Sequence, residues 1–398
     1  MIRVLCAIWL MAGVAVAQEL TGIARVDPLK STIEDGWFGQ ATLTLSLSQG
    51  VPYRVYTLDA PPRLVVDFRE VDWGLLRPQD LLPEPGAIES LRFGAFRPGW
   101  SRLVAALARP KLPDEIAMQV DPESGRATLT ISLRPADADS FAARSGAPDD
   151  ALPQPIPRQQ PSADDAFVVV IDPGHGGVDP GADGDGTPEK DLMLSLAIEL
   201  REALRRAGDV DVVLTRDRDI FVSLPRRVAI AHEAGADLFL SLHADALSQG
   251  QARGATVYTL SDDASDAASA RLAAQHDRDD ILSGVDLTRA DDVVAGVLMD
   301  LARQETAPRS DDLAAALIAS MTQSGGPMNS RPRREGAFSV LKSADIPSVL
   351  IEVGFLSDQR DLMNLRDPAW HADMVQGLTR GILTWRDDDL AKAPLRRK

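Results

Sequence analysis

Hydrophobic and polar residues alternate along this chain in two successive rhythms. Between residues 20 and 134 the period is two. Thr42-Leu43-Thr44-Leu45-Ser46-Leu47-Ser48 puts Leu43, Leu45 and Leu47 on one face of a strand. Residues 63–68, entered through the Pro61-Pro62 turn, and residues 101–107 and 127–133 read as three more. Short strands separated by turns predict a small antiparallel β sandwich. From Phe167 the rhythm changes. Phe167-Val168-Val169-Val170-Ile171 is an unbroken apolar run that suits a strand covered on both faces, and Pro173 and the glycines after it stop that strand. Residues 210–215, 238–243, 254–260, 338–341 and 348–356 read as further strands. Helices lie between them. One starts at an N-cap Thr187 with Pro188 in first position and carries Leu192, Leu196, Ile198, Leu200 and Leu204. A second covers 226–235 and is closed by Gly235. The last holds Trp370, Met374, Leu378 and Ile382. This alternation predicts an α/β domain, a mostly parallel twisted sheet flanked by helices, following a small all-β domain.

Three stretches fit neither rhythm. Residues 135–165, rich in Ala, Asp, Pro, Ser and Gln, read as a flexible linker between a β domain at 20–134 and an α/β domain at 166–388. Residues 261–309 are longer than a connection between sheet elements requires. They carry helical patterns at Ala268, Leu272 and Gln275 and again at 291–304, before a further helix at 311–321, and predict a regulatory or capping insertion. At the N-terminus, Arg3, an apolar stretch at 4–14 and Ala15-Val16-Ala17 form a signal peptide cleaved after residue 17. Cys6 is the only cysteine and lies inside that segment. The mature chain would have no disulfide and no thiolate nucleophile or metal ligand. The formal net charge of −17 argues against a nucleic-acid partner, and loss of Arg3 makes it more negative still. No later run is long and apolar enough for a membrane span.

Candidate chemistry gathers at element ends. His175, His243 and Glu352 stand at or just beyond the ends of predicted strands, and Glu189 lies in the first turn of a helix. In a parallel sheet, strand ends line one edge, so these four side chains can converge despite their distance in sequence. Two imidazoles and a carboxylate are a standard donor set for catalytic zinc, with a fourth position left for water. A second carboxylate can then serve as general base and acid. Each residue alone also has a plainer reading: His175 as a structural histidine beside a tight turn, Glu189 as a carboxylate favoured by the helix dipole. His232 and His371, on helices, read as surface histidines.

Asp172-Pro173-Gly174-His175-Gly176-Gly177, Glu189-Lys190-Asp191, Ser241-Leu242-His243-Ala244-Asp245 and Glu352-Val353-Gly354-Phe355-Leu356-Ser357 occur in this order. Together they resemble the zinc-dependent N-acetylmuramoyl-L-alanine amidases, over residues 167–386. The segment around Pro62-Arg63-Leu64-Val65-Val66-Asp67-Phe68 resembles that of an AMIN domain, a cell-wall targeting module. The resemblance implies that His175, Glu189 and His243 bind zinc, with Glu352 as the catalytic carboxylate. It implies hydrolysis of the amide between muramic acid and the L-alanine of the stem peptide of peptidoglycan, in the periplasm, during septum splitting. The alternatives are a zinc peptidase of the cell wall and a non-catalytic cell-wall-binding protein. The insertion after Leu260 is similar to inhibitory segments that await an activator with a LytM-type domain. There a glutamate can cap the zinc; here the matching position is His276, which would either cap the metal or face solvent. Asp358 stands where the family usually has asparagine, with an effect expected on substrate contacts more than on the metal.

Overall fold

A computed structural model of the chain describes residues 23–148, 166–247, 252–284 and 296–396, apart from Glu70, Pro98, Pro122, Glu123 and Ala344. The stretch read as a signal peptide, the linker from 149 onward and residues 285–295 of the insertion lie outside the described residues.

The N-terminal module is built of two four-stranded antiparallel sheets. One runs in the order Thr32–Asp35, Ala41–Leu47, Ala127–Pro135, Lys111–Val120. The other runs Tyr53–Leu58, Arg63–Arg69, Trp100–Leu107, Ile88–Arg97. Leu43, Leu45, Leu47, Leu129 and Ile131 from the first sheet meet Leu64, Val66, Phe68 and Leu103 from the second in one core. The four predicted strands are the inner ones. The four that the pattern misses are the sheet edges, whose part-exposed positions dilute the alternation. The predicted linker also begins too early. Ala138–Ala142 is a short helix, capped by Asp137, with Phe141 buried in the module's core.

In the α/β domain the strands are β1 (Phe167–Pro173), β2 (Val210–Leu214), β3 (Leu238–His243), β4 (Ala255–Leu260), β5 (Met328–Gly336) and β6 (Ser348–Glu352). Their order across the sheet is β2-β1-β3-β6-β4-β5. The first four are parallel, β4 is antiparallel to β6, and β5 is parallel to β4. The helices are α1 (Glu189–Ala207), α2 (Leu224–Ala234), α3 (Ala267–Leu282), α4 (Gly296–Gln323), α5 (Gln359–Leu365) and α6 (Pro368–Arg396). One face of the sheet packs on α1, α4 and α6 through Leu196, Leu200, Leu317 and Leu378. The other packs on α2 and α3 through Ala231, Leu272 and Ala273.

Two expectations are corrected here. Residues 339–341 form a 3-10 turn, and the edge strand is β5, whose Arg331, Arg333 and Arg334 conceal it from an apolar search. From residue 296 on, the helices expected at 291–304 and 311–321 are one helix, α4, which continues through Pro308, so a boundary at 309 falls inside it. Arg309 is held there by Asp389 and by the indole of Trp385, both on α6.

The module packs directly on the α/β domain. Val178 N donates to Ala95 O at 3.1 Å, and Phe96 stacks on Phe221 with ring centroids 6.2 Å apart. A Cβ on Gly94 would stand 2.5 Å from Gly177 O, so this approach requires bare backbone.

Candidate metal centre

Strands β1, β3 and β6 are neighbours, so their C-terminal ends form one edge. His243 and Glu352 are register partners across β3 and β6. His175 follows β1 by two residues in the left-handed region, at φ +60°. Two buried guanidiniums over-determine that strained turn. Arg227 donates to Pro173 O at 2.9 Å and His175 O at 2.8 Å while pairing with Asp172 at 2.6 Å. Arg216 donates to Pro173 O, Gly174 O and Lys190 O at 3.0, 2.8 and 2.7 Å. Burial pushes the Asp172 carboxyl up, but Arg227 and the hydroxyls of Thr215 and Ser241 outweigh it and hold the group below its ordinary value. Gly174 is the close-approach position, since a Cβ there would lie 2.4 Å from His243 Cε1.

Glu189 is the first residue of α1, where the helix dipole favours its charge. The predicted Thr187 cap is absent. Thr187 and Pro188 pair with Asp183 and Gly184, and Arg366 takes the Thr187 hydroxyl, so Pro188 is the N-cap. Glu189 Oε1 accepts from Ala244 N at 2.8 Å and lies 3.1 Å from His243 Nδ1. Its Oε2 accepts from Ala182 N at 3.0 Å and lies 3.2 Å from His175 Nε2. His175 Nδ1 contacts Asp179 Oδ2 at 2.8 Å, which fixes the ring and leaves Nε2 for the site. Burial opposes charge on His175, yet Asp179 and Glu189 outweigh it and hold its pKa well above the ordinary value. Burial also opposes charge on Glu189, but the two histidines hold that carboxyl well below its usual range. His243 goes the other way, to about 4, through burial and the neighbouring His276. A neutral imidazole is the form that ligates metal.

Ligand atoms of His175, Glu189, His243 and Asp245 all lie within 4.8 Å of one another, and those of His243, Asp245, His276 and Glu352 form a second such group. Among the described residues, His175 Nε2, His276 Nδ1 and Glu352 Oε1 are buried with no hydrogen-bond partner. Two imidazoles and a carboxylate whose ligand atoms gather within 4.8 Å, His175, His243 and Glu189, fit the donor set of a divalent cation of the zinc type. Glu352 Oε2 accepts from Asp245 N at 2.9 Å. Burial, then Asp245 and Glu189, raise the Glu352 carboxyl well above its ordinary pKa.

Helix α3 lies over this pocket. His276 is buried, not solvent-facing, and its ring stacks on His243 with centroids 4.2 Å apart. Its Nε2 contacts Asp245 Oδ2 at 2.5 Å, and Gln275 Nε2 donates to Asp245 Oδ1 at 3.0 Å. Asp245, buried two residues beyond the end of β3, is a member of this site for which the sequence offers only a charged residue close behind an apolar strand. His232 is exposed as expected, but His371 is buried between Glu199 and Leu365 O, because α6 packs on α1. Asp358 caps α5, accepting from Arg360 N and Asp361 N, a backbone role that was not anticipated.

The family described as N-acetylmuramoyl-L-alanine amidase matches residues 169–384. N-acetylmuramoyl-L-alanine amidase AmiC of Neisseria meningitidis is 30% identical over 375 residues, covering 88% of this chain and 88% of that protein. AmiA of Escherichia coli is 36% identical over 234 residues, 58% of this chain and 80% of that one. A solved structure of AmiC2 of Nostoc punctiforme is 28% identical, covers 56% of this chain and 97% of its own, and superposes with a TM-score of 0.40.

Proposed function

The chain belongs to the N-acetylmuramoyl-L-alanine amidase family, and from that premise we propose how this member works. It is a peptidoglycan hydrolase of cell separation that cuts the amide joining the lactyl group of N-acetylmuramic acid to L-alanine. His175, Glu189 and His243 hold zinc. When bound, zinc supplies Lewis acidity toward a carbonyl and lowers the pKa of water to about 7. Glu352 takes the proton of the attacking water at Oε1 while Asp245 N–H holds Oε2. The raised proton affinity of its environment lets the carboxyl keep that proton until the carbon–nitrogen bond breaks and the more basic leaving amine takes it. Asp179 keeps the His175 ring in place throughout.

The observation that supports this reading is a pair of buried clusters, His175, Glu189, His243 and Asp245 in one and His243, Asp245, His276 and Glu352 in the other, joined through His243 and Asp245. In the same reading α3 is a blocking segment. His276 and Gln275 occupy both oxygens of Asp245, and an activator of the LytM type would lift them away. The apolar segment at 4–17 supports export to the periplasm, and the β module's likeness to an AMIN domain supports a targeting role. Among the described residues no helix is long and apolar enough to cross a membrane.

Glu352→Ala tests the assignment. Zinc content should remain at one equivalent, and release of free stem peptide from purified peptidoglycan should fall by at least about 10²-fold. Retained turnover removes Glu352 from this role. Treatment of the parent protein with a chelator should abolish release, and zinc should restore it.

A further inference from the structure

Three arginines of the β module converge on the C-terminal turn of α3. Arg63 donates through Nη1 to Ile281 O. Arg102 donates through Nη1 to Gly284 O at 3.0 Å. Arg92 Nη2 meets Asp279 Oδ1 at 2.5 Å, and its Nη1 reaches Asp279 O at 3.4 Å. Arg63 and Arg102 are only 1% and 2% exposed. Each is aimed by its own module: Arg102 by Asp67 at 2.6 Å and Tyr56 at 2.7 Å, Arg63 by the carbonyls of Asp59 and Pro61 at 2.9 and 3.0 Å. The last carbonyls of a helix carry partial negative charge, and here Asp279 O and Ile281 O keep a second lone pair beyond the bonds from Ser283 N and Gly284 N, both at 3.0 Å. Guanidiniums are their complement. Buried cations are expensive unless paired, so a face that buries two of them against these carbonyls is shaped for a helix end. Arg92 also donates to Asp179 at 3.1 Å, so the same face touches the carboxylate that orients His175.

We propose that the β module is the holding half of the inhibitory device. Its Arg63, Arg92 and Arg102 receive the end of α3 and thereby keep His276 and Gln275 seated on Asp245. Loosening this face, by a ligand of the module or by an activator, unseats the helix. The inference rests on reading α3 as the blocking segment.

The test uses the full-length protein. Asp279→Ala removes a helix side chain and leaves both buried arginines with their partners in the module. Amide hydrogen exchange across 267–282 should accelerate about tenfold, the loss expected for one charge-assisted bond, while exchange in β1 and β3 stays unchanged. Basal release of stem peptide should rise severalfold. Arg92→Ala, from the other side, should accelerate exchange to the same extent. Unchanged exchange in both variants overturns the proposal, and so does accelerated exchange with basal hydrolysis present but not raised. Accelerated exchange in variants that, like the parent, hydrolyse nothing upholds the clamp and counts instead against the amidase reading.

Discussion

Arg227 illustrates how far the candidate site depends on side chains outside its proposed ligand set. It neutralises Asp172 and donates to the carbonyls of Pro173 and His175, so one guanidinium fixes both the charge balance and the turn that presents a proposed metal ligand. Arg227→Ala leaves a fully buried carboxylate unpaired and should destabilise the protein by about 3–5 kcal/mol in urea unfolding. Arg227→Lys separates the two roles. An ammonium can face Asp172 but cannot span both carbonyls, so this variant should fold yet bind zinc about 10–100-fold more weakly in a competition titration. A zinc affinity equal to the parent's would show that the turn holds without the fork. None of this was visible in the sequence, whereas the four candidate residues were. Strand ends and glycine turns are local patterns, and they expose His175, Glu189, His243 and Glu352 directly. Arg216 and Arg227 act on carbonyls dozens of residues away, and no periodicity encodes that pairing.

Helix α3, the blocking segment in the proposed reading, carries a buried acid of its own. Asp280 accepts from Leu224 N, the first amide of α2, and burial pushes its carboxyl up to about 7. The Leu224 amide and Arg227 pull it down less strongly, while Asp179 and Asp277 push it up further. Between the ordinary carboxylate pKa and about 7, the seated helix keeps a proton that the unseated helix has released. Seating therefore weakens as pH rises across that window and levels off above about 7. Asp280→Asn keeps an acceptor for Leu224 and removes the titration. Protection factors for 267–282, corrected for intrinsic exchange, should fall from about pH 5 to about pH 8 in the parent and fall less steeply in the variant, where His276 and Asp279, also raised, still titrate. A parallel fall in both would exclude Asp280 as the source. The helix was legible from Leu272 and its neighbours, but its seat was not. His276 reads as either a capping or an exposed residue until the fold sets it against His243 and Asp245.

At the scale of the whole molecule, linker composition predicted two bodies on a flexible tether, yet the described residues are docked on one another. Composition reports the freedom of the connection and nothing of the surfaces it connects, and here those surfaces are single residues scattered through both halves: Gly94, Phe96, Gly177 and Phe221. Gly94 allows the docking to be tested without disturbing either core. It lies in an edge strand, away from the positive-φ region, so alanine suits the module itself. Across the interface, however, the new Cβ would meet Gly177 O at 2.5 Å, Gly177 C at 2.7 Å and Val178 N at 3.0 Å, all backbone atoms that cannot rotate aside. Gly94→Ala should therefore separate the halves while each stays folded. Solution scattering should report a larger radius of gyration, with circular dichroism unchanged. Because Arg63, Arg92 and Arg102 would leave α3 together, exchange across 267–282 should exceed that of Asp279→Ala, which breaks one contact and leaves the radius of gyration as it was. If Gly94→Ala leaves the scattering curve unchanged, the contact at Gly177 does not hold the two halves together in solution, and the arginine face would have to keep α3 seated without it.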